Sequence, residues 1–180
     1  MKTAVVTGAA GGMGQAICRQ LQTNGLHVIG LDLKEERLNE LASEFSSDFT
    51  PISVDLTDPL AVAPTFERIR TAHGGLDAVV NNAGTCFRAD FPHIPPEELE
   101  KQMAINFNSA FHCCQQAVQL MLEREGIKKI VNISSNGAYN FDVFDPPHYR
   151  ASTAAMDPLP PALARRYAQD PLCVNSLAPA

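Results

Sequence analysis

The sequence contains no CxxC pair, no HExxH pattern, no concentrated run of Lys or Arg and no apolar stretch of membrane-spanning length. Each absence removes a class of function. The five cysteines (Cys18, Cys86, Cys113, Cys114 and Cys173) form an odd, dispersed set, which argues against a disulfide framework or zinc site and reads as reduced packing residues. The histidines are equally scattered, so no metal is expected. A net charge of −6, with basic residues placed singly, argues against a nucleic-acid partner, because a phosphate backbone demands a concentrated basic face. The start, MKTAVVTG, offers one early Lys and a very short apolar run without a cleavage site. The expectation is a cytoplasmic protein with no membrane partner.

What is present is globular. A length of 180 residues suffices for one domain with a sizeable core, taken here as 1–180, and the 45% hydrophobic and 19% charged content belongs to a folding chain. Short β-branched runs alternate with longer helical patterns, the signature of βαβ units and a parallel sheet. Strands are predicted at 3–7, 27–31, 50–54, 76–80, 128–133 and 172–176, with helices at 13–24, 35–45, 61–73 and 96–125 and another beginning near Tyr149. Asp58 and Pro59 supply an N-cap and first-turn proline for the third helix. The fold class is α/β, a doubly wound parallel sheet with helices on both faces. Two irregular segments, 85–96 and 136–148, follow strands, which is where such folds build sites.

The first strand runs into TGAAGGMG, placing Gly8, Gly12, Met13 and Gly14 at the entrance of a helix. Glycines permit a tight turn and close approach of a pyrophosphate, and the helix N-terminus offers unpaired N–H groups to it. Asp32 ends the second strand 18 residues past Gly14, where its carboxylate can accept hydrogen bonds from both hydroxyls of an adenosine ribose. That charge repels a 2′-phosphate, so NAD(H) is favoured over NADP(H). Asp55, in VDLTD, is placed to meet the adenine amino group, with helix capping as its simpler role.

In order and spacing, TGAAGGMG, VDLTD, NNAG (81–84), INFNSAF (105–111), IVNISS (130–135), YRAS (149–152) and VNSLAP (174–179) resemble the short-chain dehydrogenase/reductase family over essentially the whole chain. The resemblance implies a Rossmann-like fold and an oxidoreductase moving hydride between a nicotinamide cofactor and a small-molecule alcohol or carbonyl substrate. It implies that Asp55 and Leu56, and Asn82, Ala83 and Gly84, line the cofactor. Tyr149 would exchange a proton with the substrate oxygen, Ser135 or its neighbour Ser134 would hydrogen-bond that oxygen, and Asn106 would bend its helix and relay protons. Ser135 is preferred. Asn81 and Asn82 also read as turn residues satisfying local backbone, and Asn106 as a buried polar group satisfying a carbonyl. Phe87, Phe141 and Phe144 suggest a partly apolar pocket, with loop packing an equal reading.

The sequence departs from the family at three points. Thr153 stands four residues after Tyr149, where the family has lysine, so the cation that makes a tyrosine basic near neutrality is missing. DPLPP (157–161) breaks what the family keeps as one helix. The first helix would stop near Met156, and a second would start at Asp157 and Pro158 or at Pro161. Relatives often pair subunits through this helix, so a homo-oligomer is possible but not transferable. VNSLAPA ends before the family's substrate-covering segment and last strand, which would leave 172–176 an uncovered apolar edge. A second reading therefore stands beside the enzyme: a non-catalytic nucleotide-binding or interaction protein derived from this family.

Overall fold

The computed structural model describes residues 1–45, 48–140 and 145–180. Six parallel strands form one sheet: β1 (Lys2–Thr7), β2 (Leu26–Asp32), β3 (Phe49–Ser53), β4 (Ala78–Asn81), β5 (Lys128–Ile133) and β6 (Leu172–Leu177). Their order is β3-β2-β1-β4-β5-β6. The chain builds outward from β1 in one direction and then, from β4, in the other, so a crevice opens at the carboxyl ends of β1 and β4. All six predicted strands are found, each within two residues of its predicted ends.

The helices are α1 (Gly12–Thr23), α2 (Glu35–Glu44), α3 (Pro59–His73), α4 (Pro96–Met103), α5 (Ser109–Leu122), α6 (Pro147–Ala154) and α7 (Leu159–Arg166). Two apolar cores lie on opposite faces of the sheet. One joins Val5, Ile29 and Val79 to Phe66 and Ile69 of α3 and Cys113, Ala117 and Met121 of α5. The other joins Val6, Val28 and Val80 to Cys18 of α1 and Leu38 and Leu41 of α2. Burial drives the thiols of Cys18 and Cys114 up to about 12 and that of Cys113 further, so these three pack as inert apolar groups. Asp58 caps α3 as predicted, accepting from Leu60 N at 2.9 Å.

Two local expectations are corrected, and the helix expected near Tyr149 is found within two residues of its expected ends. The run 96–125 is not one α-helix: a five-residue π segment at Ala104–Asn108 separates α4 from α5. α6 begins at Pro147, two residues before Tyr149, and ends at Ala154, capped by Ala155. α7 starts at Leu159 with Pro158 as its cap, so neither Asp157 nor Pro161 opens it. Pro160 and Pro161 fall inside its first turn, where no N–H needs an intrahelical partner, so the three prolines shift the helix without destroying it. β6 is an edge strand but not apolar throughout. Leu172 and Val174 are buried, with α7's Leu163 and Tyr167 packed against their cluster, while Cys173 and Asn175 face out.

One polar tie crosses the sheet. Asp77 Oδ2 accepts from Thr3 N at 2.9 Å, and Arg124 Nη1 approaches it to 3.2 Å as an ion pair rather than an aligned hydrogen bond. The stem of Arg124 also covers Gly75, where a Cβ would lie 2.5 Å from Arg124 Cδ. Asp77→Ala strands a buried N–H and a half-buried guanidinium, with an expected loss of about 2–3 kcal/mol. Thermal denaturation should show Tm falling by roughly 5–10 °C; a fall under about 2 °C would contradict this assignment.

Candidate active site

The glycine turn leaves no room for side chains at two of its positions. Gly8 adopts φ +63°, and a Cβ on it would meet Ala83 Cα at 2.9 Å. A Cβ on Gly14 would stand 2.1 Å from the Gly8 carbonyl oxygen. Gly12 differs, since a Cβ there meets nothing within 4 Å and Gly12 lines the crevice. The helix opens without a side-chain cap and without an acidic residue in its first turn. Its first hydrogen bond runs from Gln15 N to Gly11 O at 2.9 Å. Among the described residues the N–H groups of Gly12, Met13 and Gly14 therefore have no partner, and they face a space where an anion gains both hydrogen bonds and the helix dipole.

Asp32 is fixed at the tip of β2. Its Oδ2 accepts from Ala10 N at 3.0 Å and its Oδ1 from Lys34 N at 3.0 Å, so the carboxylate is oriented by the glycine turn and keeps acceptor capacity toward the crevice. Asp55 forms a local turn, accepting from Thr57 N at 2.9 Å and Thr57 Oγ1 at 2.6 Å, while capping falls to Asp58. Leu56 is buried next to it.

The two asparagines at the end of β4 divide their work. Asn82 Nδ2 donates to the carbonyls of Thr7 at 3.0 Å and Gly8 at 3.2 Å, and the N–H groups of Asn82 and Ala83 both donate to Thr7 Oγ1 at 2.9 Å. Asn82 thus satisfies backbone and pins the glycine turn to β4. Asn81 does not serve the turn. Its Nδ2 crosses to Asn132 Oδ1 on β5 at 2.8 Å. Gly84 has slack within the protein, a Cβ there coming no nearer than 3.5 Å to Asn106 Oδ1.

The π segment and α4 hold the next loop. Asn106 Oδ1 accepts from Thr85 N at 2.8 Å, and its Nδ2 donates to Thr85 O at 2.9 Å and to Ser152 Oγ at 3.0 Å. Gln102, fully buried, donates to Thr85 O and accepts from Phe87 N at 3.0 Å. The bland expectation for Asn106, a buried polar group satisfying a carbonyl, describes these contacts, and the helix is distorted where it sits. Gln102 and Ser152 escaped sequence reading because nothing local marks a side chain that will reach a distant loop.

Tyr149 rides on α6 beneath Ser134 and Ser135, which follow β5. Ser134 Oγ donates to Thr153 O at 3.1 Å, fastening β5 to α6. Ser135 Oγ accepts from Gly137 N at 3.1 Å, and its own proton has no acceptor among the described residues. Thr153 Oγ1 donates back along its helix, to Tyr149 O at 3.2 Å and Arg150 O at 3.0 Å. The threonine hydroxyl is spent on its own helix, and no cation stands one turn beyond Tyr149.

Every residue assigned to the site from sequence lines a single cleft of about 980 Å³. Phe87 is half-buried and does not line it, while Phe141 and Phe144 lie outside the described residues. Cys86 and Asp145 are among the further lining groups that were not read from sequence.

Comparison with known proteins gives the lineage. The short chain dehydrogenase family profile matches residues 2–180. An acetoacetyl-CoA reductase of Acinetobacter is 36% identical over 99% of this chain and 73% of its own length. An NADPH-dependent 3-dehydrocapnine reductase of Ornithobacterium rhinotracheale is 32% identical over 92% of this chain and 60% of its own. A short-chain dehydrogenase from Streptomyces avermitilis superposes with a TM-score of 0.91 at 29% identity, covering 99% of this chain and 65% of that one. The chain thus spans between three-fifths and three-quarters of the length of these relatives. With sequence, topology and cleft in agreement, the chain belongs to the short-chain dehydrogenase family.

Proposed function

We propose that this chain binds a nicotinamide dinucleotide in the cleft and reduces a carbonyl substrate, with Tyr149 as proton donor and Ser135 as the hydrogen-bond donor to the substrate oxygen. The cleft suits such a cofactor on its own chemistry. Three unpartnered N–H groups at Gly12, Met13 and Gly14 receive a pyrophosphate, and Asp32 receives a ribose diol. Asp55, Leu56, Asn82, Ala83 and Gly84 line the walls between adenine and nicotinamide ends. When bound, the nicotinamide supplies the hydride.

The direction rests on Thr153. Alcohol oxidation asks a tyrosine to act as a base, which needs a nearby positive charge, since its ordinary pKa is near ~10. Carbonyl reduction asks only that a neutral phenol donate its proton as negative charge develops on the substrate oxygen. With Thr153 Oγ1 held by helix carbonyls, only the second role is supported at neutral pH. Ser135 is preferred to Ser134 because the Ser134 hydroxyl is already given to Thr153 O. Asn106 holds the Thr85 loop and Ser152 in place behind Tyr149.

NAD(H) is preferred to NADP(H) because Asp32 carries its charge where a 2′-phosphate would lie. Arg37 lines the same end but is held by Glu40 at 2.8 Å. The NADPH-dependent relative makes this preference a property to be measured on this chain.

The test follows NADH absorbance with a panel of small ketones. Turnover should fall by about 100-fold or more in Tyr149→Phe, with NADH affinity unchanged; equal turnover in the variant would remove Tyr149 from the chemistry. NADH binding without any turnover would favour the second reading, a nucleotide-binding protein that has lost catalysis, for which Thr153 is the supporting observation.

A further inference from the structure

One charged group in the cleft has no task in carbonyl reduction. Asp145 lies two residues before α6, half-buried, and lines the cleft. A Cβ on Gly137 would meet three groups: Asp145 Oδ2 at 2.8 Å, Ser135 Oγ at 3.3 Å and Tyr149 Cε1 at 3.4 Å. The carboxylate therefore shares one small patch of wall with the two side chains assigned to the substrate oxygen. Glycine at 137 is what lets them converge. Among the described residues nothing donates a hydrogen bond to Asp145 or pairs with it. Its field reaches across the cleft, where the Cys86 thiol is pushed up first by burial and then by the Asp145 charge, with Arg88 opposing. Lys101, the cation that α4 contributes to the lining, is solvent-exposed and makes no ion pair among the described residues.

An unpaired carboxylate on the wall of a partly closed cleft has been stripped of some water without gaining a partner. A cationic ligand offsets that loss, and the carboxylate discriminates by charge because attraction and repulsion act over the same short distance. We propose that Asp145 determines specificity: the substrate is a carbonyl compound bearing an ammonium group about one side-chain length from the reacting carbon. Carboxylate-bearing carbonyl compounds are rejected by the same residue. This rests on the carbonyl-reductase reading above.

The experiment compares a methyl ketone carrying trimethylammonium on a three-carbon tether with its tert-butyl isostere, which has the same shape and no charge. Wild-type protein should show kcat/KM for the cationic ketone about tenfold or more above the neutral one. Asp145→Asn should abolish that preference while leaving the neutral ketone's kcat/KM within about twofold. No preference in the wild type, or a preference surviving in Asp145→Asn, overturns the proposal. Calorimetry of the same cationic ketone with the wild type and Asp145→Asn reads the residue where turnover is absent. Binding weakened about tenfold by the substitution supports it, and equal or undetectable binding in both proteins overturns it. NADH titration in parallel shows separately whether the cofactor reading holds.

Discussion

Thr153→Lys is expected to raise the rate of alcohol oxidation by about 100-fold or more at neutral pH. Residue 153 lies one helical turn after Tyr149 on α6, is buried, and lines the cleft, so a side chain there shares a face with the phenol. In the wild type that position carries a hydroxyl bonded to the carbonyls of Tyr149 and Arg150. A lysine would lose those two bonds and place an ammonium beside the ring. A cation favours the phenolate, so the tyrosine pKa falls, and each unit corresponds to about 1.4 kcal/mol. The sign distinguishes this from general repair: the oxidation pH–rate profile should move to lower pH, and the pH above which ketone reduction falls, where the donating phenol ionises, should move down with it. An unchanged profile would show that the cation is not what this site lacks. The Ser134 bond to the Thr153 carbonyl is a backbone contact and should survive the exchange.

The second large effect separates two glycines of one turn. Gly14→Ala should destabilise the protein by about 3 kcal/mol or more, because its Cβ would sit 2.1 Å from the Gly8 carbonyl oxygen and 2.9 Å from Ala9 Cα, both backbone atoms that cannot swing away. The expected fall in Tm is roughly 6–12 °C. Gly12→Ala should do the opposite to stability. Its Cβ meets nothing within 4 Å, and alanine opens a helix better than glycine, so Tm should hold or rise slightly. NADH affinity should nonetheless fall by about tenfold or more, since the added methyl stands in the cleft beside the unpartnered N–H groups. Thermal melts and NADH titrations on both variants check the pair. A Gly12→Ala protein that melts normally and binds NADH as well as wild type would mean that the open space at Gly12 is not where the pyrophosphate lies.

These contrasts also mark how far the sequence could be read. The sheet was legible because apolar strand runs and intervening helical periods are local signals, and because glycines at 8 and 14 are demanded by backbone contacts within the turn itself. The π segment was not legible from local pattern, since AINFN contains no glycine or proline and carries an unbroken helical run; only the family resemblance implied a bend at Asn106. The start of α7 was misplaced because three prolines in DPLPP are each acceptable in a first turn, and only packing against β6 selects among them. Adjacent serines at 134 and 135 give one sequence signal. Their difference lies in the path of α6, which offers the Thr153 carbonyl to the first and leaves the second beside Gly137. Asp145 was invisible for the same reason: its importance comes from where the loop brings it, next to Tyr149 across Gly137, and not from its neighbours in the chain.

Direct titration of NADH into the purified chain, read by calorimetry, tests the central claim most directly. The account predicts saturable one-to-one binding, with NADPH weaker by about tenfold because of the charge on Asp32. Absence of saturable binding by either nucleotide would contradict it.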